Sequence, residues 1–276
     1  MLKTNTFCKF LITLLLLILL TTDSGKTFES FVQKAIADTT FTWLSSYSDS
    51  IKIFYQENSF AERHRMMLLR SIKTAVDEVL ALLDEPHNRA LLNVFYLESR
   101  DEMAKIVGHT YSGFSDWTGN GIFLVLNPEW RSFEKHEFTH IVTMGGWGYP
   151  HASSQWMIEG IAIYCDGWCR QYSIDEIAFH FLSNGQLPTP QELFNDFRSL
   201  GEVRAGISAA SLIGFISHTY GMPKVRQLWL NGVENLEQEL GDDLEQIENA
   251  WRFYLQNQIR ENIEVDLDTI QKGGCG

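Results

Sequence analysis

The chain has 276 residues, 45% of them hydrophobic and 21% charged, with a formal net charge of −13. Such a length and composition describe a globular protein with room for one large core or two small ones. The acidic balance, with no run of Lys or Arg, argues against a nucleic-acid partner, because phosphate binding needs a basic face.

The first 25 residues differ from the rest. Lys3 and Lys9 precede residues 10–20, which are apolar apart from Thr13. As a helix that run covers about 16 Å, against about 30 Å of membrane hydrocarbon. This is the length of the apolar segment of a secretion signal. Thr22 and Ser24 suit the small-residue positions of a cleavage site before Gly25. Cys8 lies ahead of the apolar run, which argues against a lipoprotein anchor. Residues 1–25 are therefore expected to be a signal peptide or, if uncleaved, a signal anchor. The expected location is extracytoplasmic, with membrane contact only through that segment.

Residues 28–37 form a short amphipathic stretch, expected to be helical. Residues 50–56 (SIKIFYQ) are β-branched and aromatic, which predicts a strand. From 59 to 83, Met67, Ile72, Val76, Val79, Leu80 and Leu83 recur at threes and fours, which predicts a long helix. Residues 91–97 (LLNVFYL) read as a second strand. Ser99 then caps a short helix carrying Asp101 and Glu102 in its first turn, where the helix dipole favours acids. Residues 108–119, dense in Gly, Ser, Thr and aromatics, read as loop, and 121–127 (GIFLVLN) as a third strand closed by Pro128. Helices are expected over 133–142, 155–166 and 174–183, the last stopped by Asn184-Gly185. Pro190 marks a further helix start. Small residues (Ala209, Ala210, Ser211, Gly214) line a long helix over 205–220. Two more helices, 224–230 and 243–257, leave the C-terminal half all-α.

Within 133–142 stands His136-Glu137-Phe138-Thr139-His140, an H-E-x-x-H pattern. Positions i and i+4 of an α-helix lie about 40° apart around the axis, so the two histidines point one way and can share a metal ion. Glu137 lies about 100° from His136 and flanks that ion. A carboxylate there can act as general base, taking a proton from a water on the metal.

Eighteen residues after His140 comes Glu159, inside Trp156-Met157-Ile158-Glu159-Gly160-Ile161-Ala162. H-E-x-x-H-x18-E resembles the gluzincin zinc metallopeptidases, which include thermolysin and the aminopeptidase N family. Their third ligand is a glutamate on the next helix, often in W-x-x-E-G-x-A. The resemblance implies that His136, His140 and Glu159 hold Zn2+, with Glu137 catalytic. Over about residues 50–255 the order of elements is similar to that of the short bacterial peptidase MA-like members. The fold implied is α+β: a small mixed sheet with helices to about 130, packed on a helical, zinc-binding part from about 131, within one domain spanning 26–276 and the zinc between the two parts. In that family the strand before the zinc helix has an open edge that takes the substrate as an added strand. The resemblance assigns that role to residues 121–127.

The implied activity is peptide-bond hydrolysis on a peptide or protein substrate. The alternative is a non-catalytic protein that keeps the zinc or binds peptides without cutting them. The aminopeptidase N family binds the free amine of its substrate with a Glu in a G-x-M-E-N run. Residues 121–127 carry no acid, so internal cleavage is expected. That family also uses a tyrosine as oxyanion donor. Aligning its small-residue segment on residues 211–215 puts Gly206 there, leaving Arg204 as first substitute and His218, Tyr149 or Tyr172 as others.

His64, His87, His109, His151, His180 and His218 lack motif partners, and only His151, between the ligand helices, is placed to line a cleft. Asp166 is expected to be a helix-end acid or a hydrogen-bond partner of a ligand histidine. Beyond the leader, three cysteines remain, Cys165, Cys169 and Cys275. Cys165 and Cys169 read as a disulfide or as two free thiols, and the pairing among the three is open.

Overall fold

The structure, a computed structural model, describes residues 29–86, 90–129, 132–259, 263–273 and 275. The expected leader, 1–25, and His87 lie outside the described residues. Among the described residues no helix is long and apolar enough to cross a membrane.

Five strands make one mixed sheet in the order β1-β2-β3-β5-β4: β1 Trp43–Ser48, β2 Ile51–Gln56, β3 Leu92–Leu97, β4 Gly113–Asp116 and β5 Gly121–Val125. β2, β3 and β5 run parallel, and β1 and β4 flank them antiparallel. Alternation along each strand gives the sheet two apolar faces. On one, Phe54, Phe95 and Phe123 sit in register and stack at 4.4 and 4.6 Å between ring centroids. Helices α1 (Phe31–Ala37) and α3 (Arg100–Val107) close that face, burying Val32, Met103 and Ile106. On the other, Ile53, Val94, Tyr96, Ile122 and Leu124 meet α2 (Phe60–Leu82) and α4 (Glu134–Val142), in a core that continues to Ile270.

Two expectations about the sheet are corrected. Residues 121–127 do not form its edge, because β5 is paired on both sides. The edge is β4, inside the stretch read as loop; its sequence, GFSD, lacks the β-branched residues that mark strands. β1 also went unread, being mostly serine outside Trp43, Leu44 and Tyr47.

After α4 the chain makes a π-helical turn, Thr143–Trp147, then a 3-10 turn, Ala152–Ser154, and enters α5 (Met157–Asp166). Trp147 Nε1 donates to Glu85 Oε1 at 2.6 Å, and Arg226 Nη1 donates to the same oxygen at 2.8 Å, tethering this link to both halves of the chain. A two-residue ribbon follows, β6 (Trp168–Cys169) with β7 (Tyr172–Ser173), so the C-terminal half is not all-α as expected. The remaining helices are α6 (Ile174–Ser183), α7 (Pro190–Asp196), α8 (Glu202–Tyr220), α9 (Met222–Asn231), α10 (Leu236–Leu240), α11 (Leu244–Gln258) and α12 (Leu267–Gly273). The molecule is thus α+β, with a small mixed sheet and a mostly helical second half.

Candidate metal centre

Two helices bring the ligand side chains together. α4 packs between α2, the sheet and α5, so its inner face is Phe138, Ile141 and Val142, and the two histidines project from one side. α5 is pulled against α8 at Gly160, where an added Cβ would lie 3.0 Å from Ala209 Cβ and 2.7 Å from Ile213 Cδ1. That close approach sets the depth of its neighbour Glu159.

His136 Nε2 lies 3.3 Å from Glu159 Oε2, and His140 Nε2 lies 3.9 Å from Glu159 Oε1. One ligand atom from each of the three residues falls within 4.8 Å of the others, so this group could hold a metal ion. On the far side of the ring, His136 Nδ1 is 3.1 Å from Asp166 Oδ2. A proton on Nδ1 completes that bond and leaves the Nε2 lone pair turned to the cluster. Asp166 fills both roles open to it: it is the last residue of α5 and it bonds His136.

Burial and charge act unequally on these groups. Burial pulls the His140 imidazole down to about 4, aided by the neighbouring His136. For His136 burial also pulls down, but the hydrogen bonds to Asp166 and Glu159 outweigh it and hold the ring well above its ordinary value. Burial works to raise the Glu159 carboxyl, yet His136 and His140 bring it down to about 2. Without a metal, His136 and Glu159 therefore hold each other as an ion pair, and a metal ion would displace the histidine's proton.

Glu137 is in a different state. Its side chain is 7% exposed, and burial pushes its carboxyl up to about 7, against the opposing pull of His136 and of the Ser115 hydroxyl. Ser115 Oγ lies 2.5 Å from Glu137 Oε2 and 2.8 Å from the Glu137 carbonyl oxygen. Sequence reasoning missed this contact, since a serine in a glycine-rich stretch carries no signal of its own.

Gly206 faces α5, where a side chain would meet Ile163 Cδ1 at 2.6 Å. Arg204, two residues earlier, lies about 200° further round the helix, with its Nε buried and without a hydrogen-bond partner. His218 packs on Tyr254, and the Tyr172 hydroxyl donates to the Glu264 carbonyl. Tyr149 stands exposed in the link between the ligand helices. His151, expected to line a cleft, instead pairs with Glu234 in a surface contact. His64 bonds the Phe60 carbonyl, His109 stacks on Tyr111, and His180 lies against Phe181.

Cys169 is bonded to Cys275, which pins the C-terminus beside the end of α5. Cys165 is a buried free thiol, pushed up to about 12 by burial, so the close-spaced pair Cys165 and Cys169 forms no disulfide. The four-residue spacing sits across the end of α5, and Cys169 belongs to the ribbon beyond it. Compared with known family models and with curated proteins, the chain matches none of them, so its function is argued from the geometry of this centre.

Proposed function

We propose that the chain is a zinc-dependent peptide-bond hydrolase of the gluzincin type, with His136, His140 and Glu159 as ligands and Glu137 as general base. The observation that carries this reading is the convergence of three ligand atoms beside a buried carboxylate that titrates near neutrality. Two imidazoles and a carboxylate, with a fourth position open, are the donor set of catalytic zinc. Tetrahedral zinc with bonds of about 2.0–2.1 Å spaces its ligand atoms about 3.3–3.4 Å apart. The three ligand atoms here lie within 4.8 Å of one another, so binding would draw the side chains together toward that spacing.

When bound, zinc would polarise the scissile carbonyl and make water a better nucleophile at neutral pH. Glu137 accepts the proton of the attacking water and returns it to the leaving amine, and the burial that raises its carboxyl makes it a better proton carrier than an exposed glutamate. Asp166 keeps His136 in the tautomer that offers Nε2.

A peptide main chain has a place beside these groups. Val125 N–H donates to the Ser112 carbonyl, which fixes 112 and 125 as a hydrogen-bonded pair of the β4/β5 ladder. Alternation then turns the N–H and C=O of Gly113 and Ser115 toward the open edge. An extended peptide added there would run beside Glu137. The substrate-strand role expected of residues 121–127 passes to β4. The Cys169–Cys275 disulfide supports an oxidising, extracytoplasmic compartment.

A second reading is a zinc-holding protein that binds peptides without turnover, favoured because Gly206 carries no side chain toward α5. One experiment decides between them: zinc-loaded protein and Glu137→Gln are compared on peptides with free and acetylated N-termini. The hydrolase reading expects internal cleavage of both peptide types, lowered about 10²- to 10⁴-fold in the variant. Equal turnover by the variant removes Glu137 from the mechanism, and no turnover by either leaves the binding protein.

A further inference from the structure

β4 does more than present an edge. Its side chains alternate: Phe114 and Asp116 face α1, with Phe114 against Phe31 and Asp116 Oδ2 accepting the Val32 N–H at 3.0 Å. Gly113 and Ser115 therefore face the other way, onto α4. Both meet the same carboxylate. Ser115 Oγ reaches Glu137 Oε2 at 2.5 Å, and a Cβ at Gly113 would lie 2.2 Å from Glu137 Oε1. Gly113 lacks a positive φ, so what it provides there is space rather than a special backbone conformation. The two residues fix the carboxylate from both oxygens, one by a hydrogen bond and the other by leaving just enough room.

The same two residues turn their main-chain groups to the open edge. Ser115 thus has its hydroxyl on the general base and its backbone where a substrate strand would bind. The same hydroxyl lies 2.8 Å from the Glu137 carbonyl and its single proton is shared between that oxygen and the carboxylate, so strand and helix meet at that one residue.

We infer that Ser115 is the positioning residue of Glu137: its hydroxyl holds the carboxylate in register with the β4 edge, so that a docked main chain and the base are aligned by one side chain. This rests on the hydrolase reading above. Ser115 itself touches no reacting atom. It acts through Glu137, and Gly113 is its steric complement.

The test uses the zinc-loaded full chain, Ser115→Ala and Ser115→Thr, with the carboxyl carbons of glutamate labelled with carbon-13. The Glu137 carboxyl resonance is identified by its loss in Glu137→Gln. In Ser115→Ala that resonance should move and kcat should fall about 10- to 100-fold with KM little changed, the cost of a misplaced reacting group. Ser115→Thr, which keeps the hydroxyl on a residue suited to a strand, should restore both. Gly113→Ala should move the same resonance and lower kcat with the hydroxyl still present. A resonance that stays in place in Ser115→Ala overturns the contact. An active wild type whose Ser115→Ala variant keeps full kcat overturns the positioning role alone and leaves the hydrolase reading standing. A wild type that cuts no peptide removes that reading and the positioning role with it.

Discussion

Two clusters of polar side chains among the described residues are built to opposite plans. In the helical half, Asp175 accepts Ser211 Oγ at 2.8 Å on one oxygen and the Tyr254 hydroxyl at 3.1 Å on the other. Ser211 in turn accepts Trp251 Nε1 at 3.1 Å. Burial raises the Asp175 carboxyl, and its two partners hold it back. Each of these groups is satisfied by its neighbour, and the cluster ties α6, α8 and α11 together. Around Glu159 the groups converge without closing. His140 Nε2 stands 3.9 Å from the nearest Glu159 oxygen, beyond hydrogen-bond range, with its lone pair or proton turned to the shared centre. His136 and His140 are half-buried and Glu159 is exposed, and one ligand atom of each is turned to a common centre that could take a metal ion. The closed network holds helices together, and the open one could hold a metal ion.

The contrast can be broken by removing one group from each cluster. The largest expected effect is on metal-free protein and concerns Glu137. Its carboxyl is raised from 4.5 to about 7, so the folded state binds that proton more tightly than the unfolded one. Below about pH 4.5 the group is neutral in both states and costs nothing. As pH rises through about 7 the folded protein loses on the order of 3 kcal/mol. Glu137→Gln should therefore melt higher than wild type at pH 8 and equal it near pH 4.5. A difference that stays constant across that range would mean the carboxylate is not held in an unfavourable site.

Asp166→Ala comes next. Losing the partner of a ligand histidine should weaken zinc binding about 10- to 100-fold, as read by competition with a chromophoric chelator. Unchanged affinity would place Asp166 outside the site despite its 3.1 Å contact with His136. Smallest is Tyr254→Phe, which takes one donor from the closed cluster. It should cost about 1 to 2 kcal/mol of unfolding free energy and leave zinc affinity unaltered. A loss of zinc in that variant would show that the two clusters are coupled.

The grouping of His136, His140 and Glu159, which could hold a metal ion, was legible because helical spacing is rigid: the two histidines could only point together, and Glu159 followed from spacing and resemblance. Some helix ends were legible too, through Ser99 as a cap, Pro190 at a helix start and Asn184 at a helix end. What stayed hidden depends on partners distant in sequence. β4 is four residues without strand propensity, and it exists because β5 supplies its ladder. Ser115 reaches Glu137 across 22 residues of chain, and Cys169 finds Cys275 across 106. Two residues turn an α-helix by about 200°, so Arg204 and Gly206 present different faces, which helical spacing alone makes legible.

The central claim is that the open cluster binds zinc, and metal analysis tests it most directly. Wild type and His136→Ala are stripped of metal, incubated with zinc, passed over a desalting column and assayed for bound metal. The account predicts about one equivalent of zinc on wild type and only traces on the variant, whose donor set is left incomplete. Equal zinc on the two proteins would contradict it.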